Sequence, residues 1–167
     1  MKKVILAGGC FWGVEAYFKQ LKGVEETSVG YIDGNKRYPT YDEVCIGVAT
    51  HTEAVEVFYD ETVLSLEKLL EHFLRFVNPF TLNRQGHDIG KQYRSGIYVF
   101  SDFDADVVNA YFKSYFKDDY NRVQIKVKMA KDYDKAEAYH QDYLDKNPGG
   151  YCHVNLNLVT KDEKKNA

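Results

Sequence analysis

The segment Gly8-Gly9-Cys10-Phe11-Trp12-Gly13 puts a cysteine between an apolar run, Val4 to Ala7, and a helical pattern that starts directly behind it. Free N–H groups and aligned peptide dipoles at a helix N-terminus stabilise negative charge. A thiol there is expected to fall below its free pKa of about 8.5 and to react as a thiolate. Phe11 and Trp12 add an apolar wall beside the sulfur, which suits a substrate with an apolar part. Tight packing is the competing reading, since free cysteine is among the most buried residue types. The flanking glycines weigh against it, because they clear side chains from around the sulfur.

A second reactive group follows at Glu53. It opens an alternating run through Tyr59 and shares a face with Val55, Val57 and Tyr59. Desolvation on such a face raises a carboxyl pKa, and a shift of roughly two or three units leaves a general acid near neutral pH. At the end of a strand the same side chain also has the option of reaching solvent as an ordinary carboxylate. The stretch Asn83 to Ser95 is polar, contains Gly86 and Gly90, and separates a Leu-rich helical pattern from a strand. Such loops carry sites more often than cores do, although a plain solvated loop has the same composition.

These segments resemble the A-class peptide methionine sulfoxide reductases. The family's active-site motif is matched by Gly9-Cys10-Phe11-Trp12-Gly13. Its further blocks are matched by Thr40-Tyr41-Asp42-Glu43-Val44-Cys45, His51-Thr52-Glu53-Ala54-Val55 and the run Gln85 to Ser95. The likeness extends from about Val4 to Cys152. It implies a ferredoxin-like α/β core elaborated by long loops, and reduction of the S epimer of methionine sulfoxide, free or in oxidised proteins.

Residue by residue, the resemblance implies Cys10 as nucleophile and Glu53 as proton donor. Tyr41 and Tyr93 would bond the sulfoxide oxygen, Asp88 would orient substrate, and Phe11 with Trp12 would receive the substrate methyl. The chemistry suits these types, because a sulfoxide sulfur is electrophilic only when its oxygen is hydrogen-bonded or protonated. Attack leaves Cys10 as a sulfenic acid. The resemblance implies that Cys152, in Gly149-Gly150-Tyr151-Cys152, resolves it to a Cys10–Cys152 disulfide, which thioredoxin or a small thiol such as dithiothreitol reopens. No cysteine follows Cys152 to act as a further relay, and no prosthetic cofactor is implied.

Two other readings remain open on residues alone. A thiol peroxidase would use the same thiols without needing a neutral Glu53, and a binding module would hold methionine-containing peptides without chemistry. A cysteine hydrolase is weaker, because no histidine is placed as a base for Cys10.

The elements that must position these groups are legible from periodicity. Val14, Tyr17, Phe18 and Leu21 predict a helix from Phe11 to about Lys22, and Val24 to Ile32 a strand. Leu66, Leu69, Leu70, Phe73, Leu74 and Val77 predict a helix ending before Pro79. Ile97 to Phe100 reads as a strand, Ser101 to Phe116 as a capped helix, and Val123 to Met129 as a half-exposed strand. A last helix is expected near Asp132 to Lys146, and a frayed charged tail from Lys161. The order predicts a two-layer α+β fold, with residues 1–167 as a single domain and its core at about 4–155.

The net charge of −3, with both signs interspersed, gives no case for nucleic acid. No run approaches the roughly 18 apolar residues of a membrane span, and the apolar stretch before Cys10 is too short for a signal peptide. A soluble, cytoplasmic monomer is expected. The three cysteines, Cys10, Cys45 and Cys152, lack metal-ligand spacing, so no metal site is expected. Cys45 is expected to be a buried thiol, His72 to be exposed and His140 to lie on the last helix.

Overall fold

The structure is a computed structural model that describes residues 1–165. In chain order the elements are β1 (Lys2–Ala7), α1 (Phe11–Lys19), β2 (Val24–Ile32), α2 (Tyr41–Cys45), β3 (Thr52–Tyr59), α3 (Leu66–Phe76), β4 (Arg84–Gln85), β5 (Asp88–Ile89), β6 (Gly96–Val99), α4 (Asp102–Phe116), β7 (Lys126–Met129), β8 (Asp134–Lys135) and α5 (Tyr143–Lys146). Among the described residues, six strands make one sheet in the order β7-β6-β1-β3-β2-β8, and β4 pairs with β5.

The central strands β6-β1-β3-β2 pair antiparallel, and with α1 and α3 they form the βαββαβ unit of the expected ferredoxin-like α+β core. β7 then adds parallel to β6 after the crossover through α4. Alternation assigns the faces. Val4, Leu6, Val55, Val57, Ile97 and Val99 pack with Val14, Phe18, Leu69, Leu70 and Phe73 of the helices. Ile5, Ala7, Ile32, Ala54 and Tyr98 form a smaller cluster on the opposite face.

Helix ends follow local chemistry. Ser65 Oγ accepts from Lys68 N–H and Ser101 Oγ from Asp104 N–H, each at 3.1 Å, to cap α3 and α4. α1 stops three residues short of the expected Lys22, because the backbone beyond it is drawn into other pairs. Lys22 N–H donates to the Glu163 carbonyl, Lys165 N–H donates to the Gln20 carbonyl, and Leu21 bridges Lys164.

That pairing also overturns the expected frayed tail. Residues 161–165 are docked, with Arg75 forking onto the Glu163 carboxylate at 2.7 and 2.8 Å; positions 166 and 167 lie outside the described residues. The strand expected from Val123 forms only at Lys126–Met129, since Val123 N–H closes a turn on the Tyr120 carbonyl and Gln124 N–H is taken by Pro79.

The expected helix from Asp132 to Lys146 does not form. Asp132 and Asp142 have positive φ, which breaks any helix through them. Between them the chain runs along the edge of β2. Lys135 and Asp134 pair with Gly30 and Tyr31, and a short 3₁₀ turn covers Ala138–His140. Only Tyr143–Lys146 is α-helical. Gln141 substitutes for a paired strand: its Oε1 accepts from Val29 N–H and its Nε2 donates to the Val29 carbonyl, both at 2.8 Å.

His72 is buried rather than exposed, since Tyr17 Oη bonds its Nδ1 at 2.7 Å in the core. Cys45 is exposed rather than buried, at the last turn of the short α2.

Replacing Gln141 by Leu strips the Val29 N–H of its partner. A loss of about 1–3 kcal/mol in urea unfolding is expected. A change within about 0.5 kcal/mol, the range of an ordinary surface substitution, would mean that this side chain does not close the β2 edge.

Candidate active site

Cys10 is the N-cap of α1, at the point where the chain leaves β1 and turns into the helix. Gly9 makes that turn with φ +98°, which a side chain would strain. The Cys10 side chain is buried.

Glu53 comes to the same spot from β3. Leu6 of β1 faces Val55 of β3, so extending that antiparallel register carries the Gly8–Cys10 turn to the level of Glu53. The carboxyl is 1 % exposed, and its Oε1 accepts from Phe11 N–H at 3.1 Å. The first free N–H of α1 thus faces the acid, while the thiol sits one residue earlier in the chain.

The electrostatics correct the expectation of a resting thiolate. Backbone N–H groups of Trp12 and Gly13 do lower the Cys10 pKa, as the helix N-terminus should. Burial outweighs them, and charge on Glu53 and Asp88 adds to it, so the thiol is pushed far up and is protonated at rest. Glu53 behaves as the sequence suggests. Burial pushes it up to about 8 against the downward pull of the Phe11 N–H, with Asp88 raising it further. Burial therefore leaves both groups neutral at rest, and charge on Glu53 would push the thiol up further.

Tyr41 and Tyr93 come from separate elements. Thr40 and Glu43 form a reciprocal capping box that sets Tyr41 at the start of α2. The Tyr41 N–H is held by Glu137 at 2.9 Å. Tyr93 ends a 3₁₀ turn, Lys91–Tyr93, just before β6. Burial raises both phenols; next come Cys45 for Tyr41 and Glu53 for Tyr93, and Glu53 acts on both. Both therefore stay protonated and able to donate beside the acid.

Asp88 is on β5 of the small hairpin and accepts from the Tyr151 hydroxyl at 3.0 Å. Cys152 is half-buried above α1. A Cβ added at Gly13 would meet its Sγ at 3.1 Å, so the missing side chain lets the sulfur sit close over the first helical turn. The thiol donates to the Val154 carbonyl at 3.1 Å.

Phe11 is 1 % exposed and packs on Tyr31 and His140, at the base of the site rather than on its surface. Trp12 is partly exposed. Its ring stacks on Tyr143 at 3.8 Å, and its Nε1 donates to His140 Nδ1 at 3.0 Å.

The site therefore gathers Cys10, Glu53, Phe11, Trp12, Tyr41, Tyr93, Asp88 and Cys152 around the N-terminus of α1. Sequence reasoning missed Glu137, His140 and Tyr143, because it placed them on a long last helix. His140 is instead buried against Phe11, Trp12 and Tyr41, and Glu137 accepts from Tyr31 Oη at 2.7 Å. The absence of an apolar stripe between Asp132 and Lys146 was the signal available in the sequence. The arrangement can bring a thiol, a neutral acid and two phenols onto one polar oxygen beside an aromatic wall.

Glu53 also titrates with folding. Its folded pKa lies above the unfolded value of 4.5, so its contribution to stability is full below 4.5 and is lost as pH rises through about 8. Glu53→Gln keeps an acceptor for Phe11 N–H but cannot ionise. Between about pH 5 and 8 the urea midpoint of the variant should fall less steeply than that of the parent protein; parallel profiles would show that Glu53 ionises normally.

The family model described as peptide methionine sulfoxide reductase matches residues 2–167. Peptide methionine sulfoxide reductase MsrA of Ureaplasma urealyticum is 47 % identical over 96 % of this chain and 98 % of its own length. MsrA of Clostridium botulinum is 47 % identical over 93 % of this chain and 99 % of its own. Among solved structures, reduced Mxr1 of Saccharomyces cerevisiae superposes with a TM-score of 0.84 at 37 % identity, covering 90 % of this chain and 88 % of that one. Methionine sulfoxide reductase A of Corynebacterium diphtheriae gives 0.82 at 34 % identity, with 90 % and 77 % covered. With the model matching essentially end to end and relatives near half identity over nearly full length, this chain belongs to the peptide methionine sulfoxide reductase family.

Proposed function

We propose that this protein reduces methionine-S-sulfoxide, free or within oxidised proteins, by attack of the Cys10 sulfur on the sulfoxide sulfur. The observation that carries the reading is the dry Glu53 carboxyl seated on Phe11 N–H at the Cys10 turn. As the new S–S contact forms, Glu53 passes its proton to the sulfoxide oxygen, and the thiol proton replaces it on the carboxylate. The oxygen then passes to the Cys10 sulfur: the substrate's S–O bond and the new S–S bond break as the Cys10 S–O bond forms, so methionine leaves and Cys10 remains as a sulfenic acid. No net charge is created in the dry site, which accords with two groups that burial keeps neutral.

The phenols of Tyr41 and Tyr93 donate to the same oxygen, and Asp88 orients polar parts of the substrate. The methyl lies toward Trp12 with Phe11 beneath. A chiral sulfur can satisfy methyl wall, oxygen donors and nucleophile together in only one hand, and the S assignment follows from the motif resemblance.

Cys152 then attacks the sulfenic acid to give a Cys10–Cys152 disulfide and water. Its thiol lies over Gly13, one turn from Cys10, which supports that role. Thioredoxin, or a small dithiol, supplies the two electrons that reopen the disulfide, so no prosthetic group is required. Mxr1, the yeast relative, has been solved in complex with Trx2. Free thiols without scaffold spacing suit a reducing cytoplasm. Among the described residues no helix is long and apolar enough to cross a membrane.

With S and R sulfoxide peptides supplied separately to a thioredoxin-coupled assay, turnover of S alone is expected. Cys10→Ser should abolish it, and Cys152→Ser should release about one equivalent of methionine and then stop. Hydroperoxide turnover that survives Glu53→Gln would instead make the protein a thiol peroxidase. Single-turnover methionine release should decline as pH rises through about 8, where Glu53 loses its proton; a rate that climbs steadily through that range would mean an ordinary thiolate without an acid.

A further inference from the structure

His153 stands directly after Cys152 and takes no part in the reaction as set out so far. Its Nε2 lies 2.9 Å from the Gly8 carbonyl, which can only accept, so Nε2 carries the hydrogen. In a neutral ring that leaves Nδ1 bare. Nδ1 is buried and has no hydrogen-bond partner among the described residues. An unpaired buried acceptor is costly, and here it is free to take a proton.

Its position is specific. The ring rests on Gly9, where an added Cβ would meet Nε2 at 2.7 Å. A Cβ added at Gly13 would meet His153 Nδ1 at 3.2 Å and Cys152 Sγ at 3.1 Å, so the bare nitrogen and the second thiol crowd the same point above α1. The Gly8 bond therefore fixes the ring beside the Cys10 turn while leaving its free nitrogen on the side of Cys152.

We infer that His153 is the proton acceptor for Cys152 in the disulfide-forming step and, through Gly8, the pivot about which Cys152 swings toward Cys10. This rests on the reading of Cys152 as the resolving thiol. The Cys152 thiol leaves the Val154 carbonyl and gives its proton to Nδ1, and the thiolate attacks the Cys10 sulfur. The S–OH bond of the sulfenic acid breaks, and the departing hydroxide takes the proton back from the imidazolium and leaves as water.

Burial sets the starting protonation states, a protonated thiol and a base-form ring, and the transfer itself is drawn forward by consumption of the thiolate in the S–S bond. Burial raises the Cys152 pKa, so the thiol needs a base. Burial also lowers the His153 pKa, with Asp88 opposing, so the ring is neutral and receptive at pH 7. The titratable groups around the ring are Asp88 from the β4–β5 hairpin and Cys152 on its own segment.

The test is a single turnover of the full chain with one equivalent of a methionine-S-sulfoxide peptide, following methionine release and thiol loss separately. His153→Gln retains a donor for the Gly8 carbonyl but has no base at the Nδ1 position. Methionine release should stay at the parent rate, while disulfide formation slows by about a hundredfold or more. In the variant that step should rise about tenfold per pH unit as the thiol itself ionises, whereas the parent stays nearly flat above the His153 pKa and drops below it.

Disulfide formation in His153→Gln at the parent rate and with the parent pH profile would overturn the inference and leave the role of Cys152 standing. The unaltered protein gives a second test, since a disulfide step that climbs tenfold per unit in the parent would also overturn it. A parent protein that keeps both thiols alkylatable after methionine release would overturn both the inference and the Cys152 reading beneath it.

Discussion

Everything in the site is arranged around one hydrogen bond, from Phe11 N–H to the Glu53 carboxyl at 3.1 Å. A helix N-terminus has unpaired donors, and a buried carboxyl needs a partner. Joining them satisfies both and ties the start of α1 to the start of β3. The bond also limits the helix's effect on the thiol. Phe11 N–H is directed at Glu53, and the pull on Cys10 comes from the next two N–H groups, which burial overrides. The helix terminus therefore supports the acid and the nucleophile unequally. Its result is a pair of neutral groups with closely linked proton affinities.

The βαββαβ core supplies rigidity at only one side of this pair. Cys10 and Glu53 are fixed by the register of β1 on β3. Tyr41, Tyr93, Asp88 and Cys152 instead come from connections between strands or from the segment after the sheet. Those connections are held by polar side chains that take over backbone pairing. Thr40 and Glu43 cap α2, Glu137 ties Tyr41 to Tyr31, and Gln141 closes the β2 edge. The C-terminal segment is pinned beyond Cys152 by Arg75, which grips Glu163 and the Leu158 carbonyl. On the near side Tyr151 on Asp88 and His153 on Gly8 bracket Cys152.

Where the physics was local, the sequence was readable. The Leu66–Phe76 helix, the Val24–Ile32 strand and the cap at Ser101 follow from periodicity and side-chain chemistry that act within a few residues. Glu53 was legible for the same reason, since alternation along one strand puts it on an apolar face. The failures share another cause. The segment from Asp132 to Lys146 contains reasonable helix formers, yet its shape is set by distant partners, Val29 and Tyr31 of β2 and Tyr41 of α2. His72 looked exposed because it interrupts an apolar stripe, and partners distant in sequence, Tyr17 on another helix and Glu163 of the C-terminal segment, make its burial tolerable. The Cys10 thiol was misjudged because a dipole can be read from a motif, whereas desolvation depends on everything folded over it.

That last error bears on how a buried thiol can act. A low thiol pKa is one route to reactivity, but it would place a lasting negative charge beside Glu53 and drive the acid still further toward its neutral form. In this arrangement ionisation is deferred until a polar oxygen is present to receive the proton. On the proposed mechanism charge then develops only along the path from sulfur to oxygen, beside a Glu53 already held by Phe11 N–H, so the acid needs little reorganisation in the transition state. The same logic extends to the second thiol, which is also pushed up by burial and rests bonded to a carbonyl. Neither sulfur is a standing nucleophile. On the proposed mechanism each waits on a neighbouring group to move its proton, which spares the Cys10 thiol at the N-cap of α1 and the Cys152 thiol on the C-terminal segment above it until substrate arrives.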